Sequence, residues 1–207
     1  KFPSHLRRRE SPFAFKMGSL SIWQLLIIII PIGAIYGIYR FAKRTPRPSN
    51  SSGPVGVGGW LLLLVAGLMF LGPLMGAGRI NADIMSVESQ YPNLVTVAEW
   101  GTFKSLTWWS FLVVCCLSFY AGFGLATGVD MSVVKRAKVL LWITGPAASI
   151  VMGLFIPLVV FGEIDPDPQF FGAFIVSVIS AAIWTTYLSK SRRVKATYVP
   201  MRPEDSV

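Results

Sequence analysis

The sequence is poor in charged side chains and in side chains that bind metals. Asp, Glu, Lys and Arg make up 14% of the 207 residues, whereas a soluble domain carries about 25%, so the charges are too few to cover a water-facing surface. The only histidine is His5, which excludes a bis-histidine haem inside a membrane. The two cysteines, Cys115 and Cys116, are adjacent in an apolar run, and neighbouring helical side chains do not face each other. We therefore expect no disulfide, no metal and no cofactor.

The motifs of common enzymes are missing as well. The sequence contains no Cys-x-x-Cys, no glycine-rich nucleotide loop and no Walker motif. The Ser, Thr and Tyr residues of the apolar runs have no base beside them in the sequence, so no nucleophile–base pair is visible. The acidic turn GEIDPDPQ (162–169) lacks the ligand spacing of a calcium loop. We predict that the protein is not an enzyme.

Apolar runs are what the sequence has in abundance. Hydrophobic residues make up 53% of the chain, and mean hydropathy is +0.59. Five segments are each long enough to cross about 30 Å of hydrocarbon as a helix. The sequence therefore predicts an all-α polytopic membrane protein, with a four-helix transmembrane core and one extra N-terminal transmembrane helix. The segments run over about Leu20–Phe41, Val57–Ala77, Leu106–Ala126, Val139–Phe161 and Phe170–Leu188.

The composition of the linkers predicts how the chain is divided. A Pro, Gly and Ser-rich stretch separates the first apolar segment, which contains Pro31, from the others, so that segment is expected to be a peripheral helix. Segment 79–104 has apolar residues at helical spacing and is either an amphipathic helix lying on the outer surface or an ordered loop. The predicted regions are an N-terminal tail (1–16), which precedes a plausible start at Met17, the peripheral helix (17–45), a flexible cytoplasmic linker (46–56), the four-helix core (57–189) and a basic cytoplasmic tail (190–207).

Basic residues alternate with the apolar segments in a way that predicts orientation. The linkers at 40–47 and 130–138 and the tail from Lys190 carry twelve Lys and Arg residues, against two in the other linkers. This is the positive-inside pattern, so we expect a cytoplasmic C-terminus, an outer N-terminus and no nucleic-acid partner. We expect the lipid bilayer to be one partner, with anionic lipids or another subunit contacting the basic cluster. That cluster consists of Lys190, Arg192, Arg193 and Lys195.

Two motifs at the ends of the core resemble a known family. The opening Gly-Gly-Trp and the closing segment YLSKSRRVKATYV resemble the bacterial membrane family known as domain of unknown function 2569, over about residues 55–200. The resemblance implies four helices in a bacterial inner membrane, with both ends of the core cytoplasmic, and it implies no activity. The start of the first helix, GSLSIWQLLIIII, resembles small twin-arginine translocase subunits more weakly, because Pro31 departs from their pattern. The residues that match the first family are Gly58, Gly59, Trp60, Gly72, Pro73, Tyr187, Ser191, Arg193, Val194, Lys195, Thr197 and Tyr198.

Small residues and Gly-Pro pairs suggest how the helices pack. Small residues recur every four positions in the last segment, which lets helix backbones approach closely, either within the bundle or against another subunit. Gly-Pro pairs at 72–73 and 145–146 predict two kinks, with a small cavity for a neutral or lipidic ligand between them as one alternative. We expect a non-catalytic accessory, assembly or stabilising subunit of a larger membrane complex; the alternative is a small transporter or channel for a neutral or lipidic solute. The small residues are Ala173, Ser177, Ala181 and Thr185.

Overall fold

The computed structural model describes residues 33, 36, 37, 40, 57–162 and 168–198, and helices account for nearly all of them. A short 3-10 helix, Pro92–Thr96, joins the first two long helices. The predicted all-α fold with four spans is confirmed. Most of the predicted N-terminal helix lies outside the described residues. The α-helices within residues 57–162 and 168–198 are α1 (Trp60–Gln90), α2 (Ala98–Thr127), α3 (Met131–Phe161), α4 (Pro168–Lys190) and α5 (Arg192–Thr197).

The four long helices have apolar surfaces that a soluble protein would bury. Only 11% of the most apolar window of α4 is buried, and the corresponding share for α3 is 17%. Val176 is 66% exposed and Ile183 is 60% exposed on α4. Apolar surface this extensive and this exposed requires an apolar surrounding. The chain is therefore a multi-pass membrane protein.

The segment between the first two core spans differs from both of its predicted forms. Residues 79–90 continue α1 without a break, and α2 already begins at Ala98. Residues 79–90 and 98–104 are therefore parts of two long helices, and only residues 91–97 form a connection between them. Ile80, Ile84 and Val87, whose helical spacing suggested a surface helix, instead point toward the other helices of the bundle. An amphipathic stretch has the same spacing in both arrangements, so spacing alone does not separate them.

The helices form an up-and-down bundle with two distinct ends. The "basic end" is where α1 and α3 begin, where α2 and α4 end, and where α5 lies; the "opposite end" holds Gln90, Ala98, Phe161 and Pro168. α1 packs on α2, α2 packs on α3, and α3 packs on α4. The most deeply buried side chains lie at the basic end. They include Leu61, Val65, Leu125, Val134, Leu188, Val194 and Tyr198.

Three π-helical turns interrupt the long helices, each beside a proline. In α1 the turn Gly67–Leu71 precedes Pro73, and the Gly72 N–H donates to the Gly67 carbonyl. Proline lacks an N–H, and its ring clashes with the carbonyl four residues earlier. A widened turn absorbs that clash without ending the helix. In α3, Pro146 lies within the turn Ile143–Ala147, and Pro157 follows the turn Val151–Phe155.

Candidate ligand-binding site

A cavity of about 840 Å³ lies among the four long helices, toward the opposite end. Its wall on α2 extends from Trp100 to Ser118, which corresponds to about 27 Å at 1.5 Å per residue. Trp100 lies near the opposite end, and Ser118 lies deep in the bundle. The volume falls within the range of about 300–1,000 Å³ that is usual for ligand sites.

A smaller space of about 230 Å³ continues from the bottom of this cavity. It lies between the π-helical turns of α1 and α3, and Gly67, Gly145 and Ala181 contribute to its wall. Gly72, Ser118 and Thr144 line both spaces. The backbone irregularities at the Gly-Pro pairs therefore surround the deepest part of the cavity. Pro73 lines the main cavity, whereas Pro146 is buried within α3.

The cavity wall is mostly apolar, with a few hydroxyl groups at different depths. Thr144 and Ser149 donate to carbonyls one turn earlier in α3, at 2.8 and 3.0 Å. Thr107 and Ser118 are each only 8% exposed. The Thr107 hydroxyl oxygen has no hydrogen-bond partner in the part of the chain that the structure describes. A buried hydroxyl without a partner is unfavourable, so Thr107 is suited to bind a ligand oxygen.

A polar cluster holds α1 to α2 at the opposite end. Glu88 accepts hydrogen bonds from the Lys104 Nζ at 2.6 Å and from the Trp100 Nε1 at 3.0 Å. Trp60 to Arg79 already spans about 28 Å of helix, so Glu88 lies beyond the membrane-spanning part of α1. The hydrogen bond from Lys104, followed by that from Trp100, lowers the pKa of the Glu88 carboxyl below its ordinary value. Nearer to the bilayer, Arg79 and Asp83 form an exposed ion pair at 3.8 Å on the cavity wall.

The basic end is closed by α5 and the residue that follows it. The Tyr198 hydroxyl donates to the Leu125 carbonyl at 2.5 Å, and both residues are fully buried. The Arg193 side chain lies over the turn that precedes α1. There, Gly59 has a φ of +57°, and an added Cβ would come within 2.8 Å of the Arg193 Nη1. The two ends of the core, which are far apart in sequence, therefore contact each other directly.

The structure distributes the four predicted basic residues over two environments. Lys190, Arg192 and Lys195 are exposed, and the last two share one face of α5. Arg193 is half-buried against Gly58 and Gly59. Residues 190–198 are therefore folded onto the bundle. The exposed trio is available to contact lipid or protein, and Arg193 has an internal contact.

The small residues of α4 lie toward α3. Ala181 is buried, and Ala173, Ser177 and Thr185 are half-buried. A Cβ on Gly145 of α3 would lie 3.8 Å from the Ser177 carbonyl, which shows how closely the two helices approach. Ala173 also lines the main cavity, and Ser177 and Ala181 line the smaller space. The acidic turn at 163–167 lies outside the described residues.

Sequence reasoning placed a possible cavity between the two Gly-Pro pairs but missed the contribution of α2. Thr107 and Ser118 carry the buried hydroxyls of that wall. Their only signal in the sequence is a hydroxyl residue within an apolar run, which is common in helices that simply pack together. The spacing of eleven residues places both on one face of a helix, three turns apart.

Four long apolar helices with lipid-exposed surfaces and an internal cavity define a polytopic α-helical membrane protein. Residues 54–199 match the family described as Protein of unknown function (DUF2569), and the chain belongs to that family. This confirms the resemblance carried by the Gly-Gly-Trp and Arg-Val-Lys motifs. Comparison with curated proteins and with solved structures finds no match. The resemblance of the first helix to translocase subunits stays a prediction.

Proposed function

We propose that the protein binds a neutral or lipidic solute in the main cavity and acts as a small carrier for it. The observation that supports this most strongly is the position of the cavity at the Gly-Pro breaks of α1 and α3. Both helices start at the basic end, and both are interrupted at a Gly-Pro pair. Interrupted helices in corresponding positions of two halves are typical of transporter binding sites. The deep wall supplies hydroxyls and apolar contacts, which suit an uncharged group.

The cavity also has the asymmetry that a carrier needs. Its lining residues lie toward the opposite end, whereas fully buried side chains such as Leu61, Leu125 and Tyr198 fill the basic end. Closely packed side chains therefore separate a solute in the cavity from the basic end. In this proposal the described arrangement is the one that is open to the outside, and transport requires the basic end to open.

Binding is tested by filling the cavity. Ala173 on α4 lines the cavity, and Ala182 on the same helix is exposed to the membrane. We expect Ala173→Phe to reduce the amount of small molecule or lipid that remains bound after mild detergent extraction, as measured by native mass spectrometry. Ala182→Phe, which adds the same ring outside the cavity, should leave it unchanged. Equal retention in the two variants would contradict the proposal.

The orientation belongs to the same proposal, with the basic end in the cytoplasm of a bacterial inner membrane. The support is the excess of Lys and Arg in the linkers of that end. A reporter that is active only in the cytoplasm should work when fused after Lys195 and should be silent when inserted within 163–169. The reverse result at either site would contradict the orientation.

The exposed basic side chains of α5 are proposed to contact anionic lipid headgroups. Arg192 and Lys195 are exposed on one face, and Lys190 is exposed at the end of α4. Each cation near an anionic membrane surface contributes about 1 kcal/mol of attraction, and salt screens it. Arg193 is left out of this contact, because its side chain lies against Gly59.

An accessory role in a larger membrane complex is a second candidate. Its support is the predicted peripheral helix (17–45), which the sequence separates from the core by a flexible linker. Deleting residues 17–45 should leave the core inserted while weakening the recovery of co-purifying proteins, as identified by mass spectrometry. If the truncated chain fails to insert, the segment belongs to the core and this support disappears.

A further inference from the structure

The first and last of the four long helices, α1 and α4, both border the cavity. At the basic end α1 and α4 meet, where the rings of Trp60 and Trp184 lie 6.5 Å apart. Farther along, α1 packs on α2 and α4 packs on α3. Pro73 of α1 and Phe170 of α4 then line the cavity from its two sides. Because both helices border the cavity, the space between them is the route by which we expect a membrane lipid to enter.

The charges on the cavity wall lie at the depth of lipid headgroups. From Trp60 at the basic end, Arg79 is about 28 Å along α1, close to the hydrocarbon thickness of about 30 Å. Arg79 and Asp83 point into the cavity region one turn apart, with side chains that are 63% and 70% exposed. An ion pair this exposed contributes little to stability. A ligand that offers both charges can therefore replace it at little cost.

An unpartnered hydroxyl lies at the same level. The hydrogen bond between Trp100 and Glu88 fixes the register of the antiparallel helices α1 and α2. Seven residues farther along α2, Thr107 lies level with the stretch of α1 between Arg79 and Asp83. Its hydroxyl oxygen is buried and has no partner among the residues that the structure describes. A phosphate or ester oxygen beside this pair would give it one.

Below this level the cavity offers no charge to a ligand. Among the described residues, its deeper wall consists of apolar side chains, glycines, prolines and hydroxyls, such as Phe111, Met152 and Ser118. This surface suits an acyl chain. From Asp83 to Ser118 the cavity wall changes from charged to hydroxyl-bearing to apolar. This order fits a molecule that has opposite charges at one end, ester oxygens next to them and a long apolar part.

We propose that the solute is one zwitterionic phospholipid of the leaflet at the opposite end, with its phosphate against Arg79 and its ammonium against Asp83. This rests on the proposed binding function and adds the identity of the ligand. Phosphatidylethanolamine fits best, because its ammonium N–H groups can donate to the Asp83 carboxylate. Phosphatidylcholine has no N–H to donate, and the net negative charge of phosphatidylglycerol lacks a partner at Asp83.

The test offers the purified full chain the three lipids with identical acyl chains, in equimolar mixed vesicles, and counts bound lipid by native mass spectrometry. We expect one retained lipid, with phosphatidylethanolamine preferred over phosphatidylglycerol. Asp83→Asn should reduce this preference by up to about fivefold, the factor that corresponds to 1 kcal/mol for an exposed charge contact. Arg79→Gln should reduce retention of all three lipids, because each has a phosphate.

A matched control and the cavity-filling variant separate the possible failures. Glu99→Gln removes a negative charge from the same end, at an exposed residue outside the cavity wall, and should leave the preference unchanged. If Ala173→Phe releases the lipid but wild type and Asp83→Asn show the same preference, the headgroup assignment is wrong and the cavity function stands. If Ala173→Phe retains as much lipid as Ala182→Phe, both the assignment and the proposed function are overturned.

Discussion

Replacing Tyr198 with phenylalanine removes one hydroxyl from the basic end and should destabilise the whole bundle. That hydroxyl donates to the Leu125 carbonyl at 2.5 Å, across 73 positions of sequence. Leu125 lies in the last turn of α2, whose final four carbonyls have no partner within the helix. The carbonyl next to it, that of Gly124, is already bonded by the Gly128 N–H. Tyr198 therefore supplies a bond to a buried acceptor at the end of the helix.

The size of the effect follows from burial. Tyr198 and Leu125 are both 0% exposed, so water does not reach the Leu125 carbonyl when the hydroxyl is gone. A buried acceptor left without a partner costs about 1–3 kcal/mol. The phenylalanine ring keeps the apolar contacts, so the loss of the hydrogen bond is the main change.

The measurement is an unfolding titration in mixed micelles with increasing sodium dodecyl sulfate, followed by circular dichroism. Tyr198→Phe should lower the free energy of unfolding by about 1–3 kcal/mol. Tyr120→Phe makes the same chemical change on α2, at a side chain that is 56% exposed, and should be nearly neutral. If the two variants unfold together, Tyr198 does not stabilise the end of α2 and the account of the closed basic end is wrong.

Three further predictions concern other parts of the molecule. Gly59→Ala should destabilise the protein by about 1–3 kcal/mol in the same titration, because the positive φ is strained for any L side chain and the added Cβ meets Arg193. Gly78 has open space around it, so the control variant Gly78→Ala should be neutral or slightly stabilising. Because the Glu88 pKa is lowered by folding, its contribution is present above the unfolded pKa and is lost as the pH falls through the folded value, so acid should destabilise wild type more than Glu88→Gln. Replacing both Arg192 and Lys195 with glutamine should leave insertion normal and lower the retention of phosphatidylglycerol, as measured by native mass spectrometry. The loss should be largest at low salt, because high salt already screens the attraction in the wild type. Unchanged retention at every salt concentration means that these residues only set orientation.

The four core spans were predictable because each depends on a run of about twenty apolar residues, a signal that neighbouring structure does not alter. The ends of the first span were not. Residues 79–90 contain charged residues and were therefore separated from the apolar run, yet helix formation does not stop where hydropathy falls. The Gly-Pro pairs correctly indicated irregular backbone, but whether a proline ends, kinks or widens a helix depends on the packing around it.

The closing segment was the least predictable part of the site. Its basic residues dominated the interpretation, although Val194 and Tyr198 are spaced as one apolar face of a helix and are both fully buried. That spacing was visible in the sequence. The surface that this face packs against is formed by residues of other segments, such as Leu125 and Leu188. A contact between such separate segments cannot be read from the spacing of residues in a single sequence.

The contact between Tyr198 and Leu125 also has a consequence for the order of events during synthesis. The residue that completes the end of α2 is added 73 positions after the carbonyl it binds. A chain leaves the ribosome at about 5–20 residues per second, so α2 and α3 enter the membrane seconds before the basic end can close. During that interval the helix ends at the basic end lack this partner. This contact can therefore form only after all four long helices have been made.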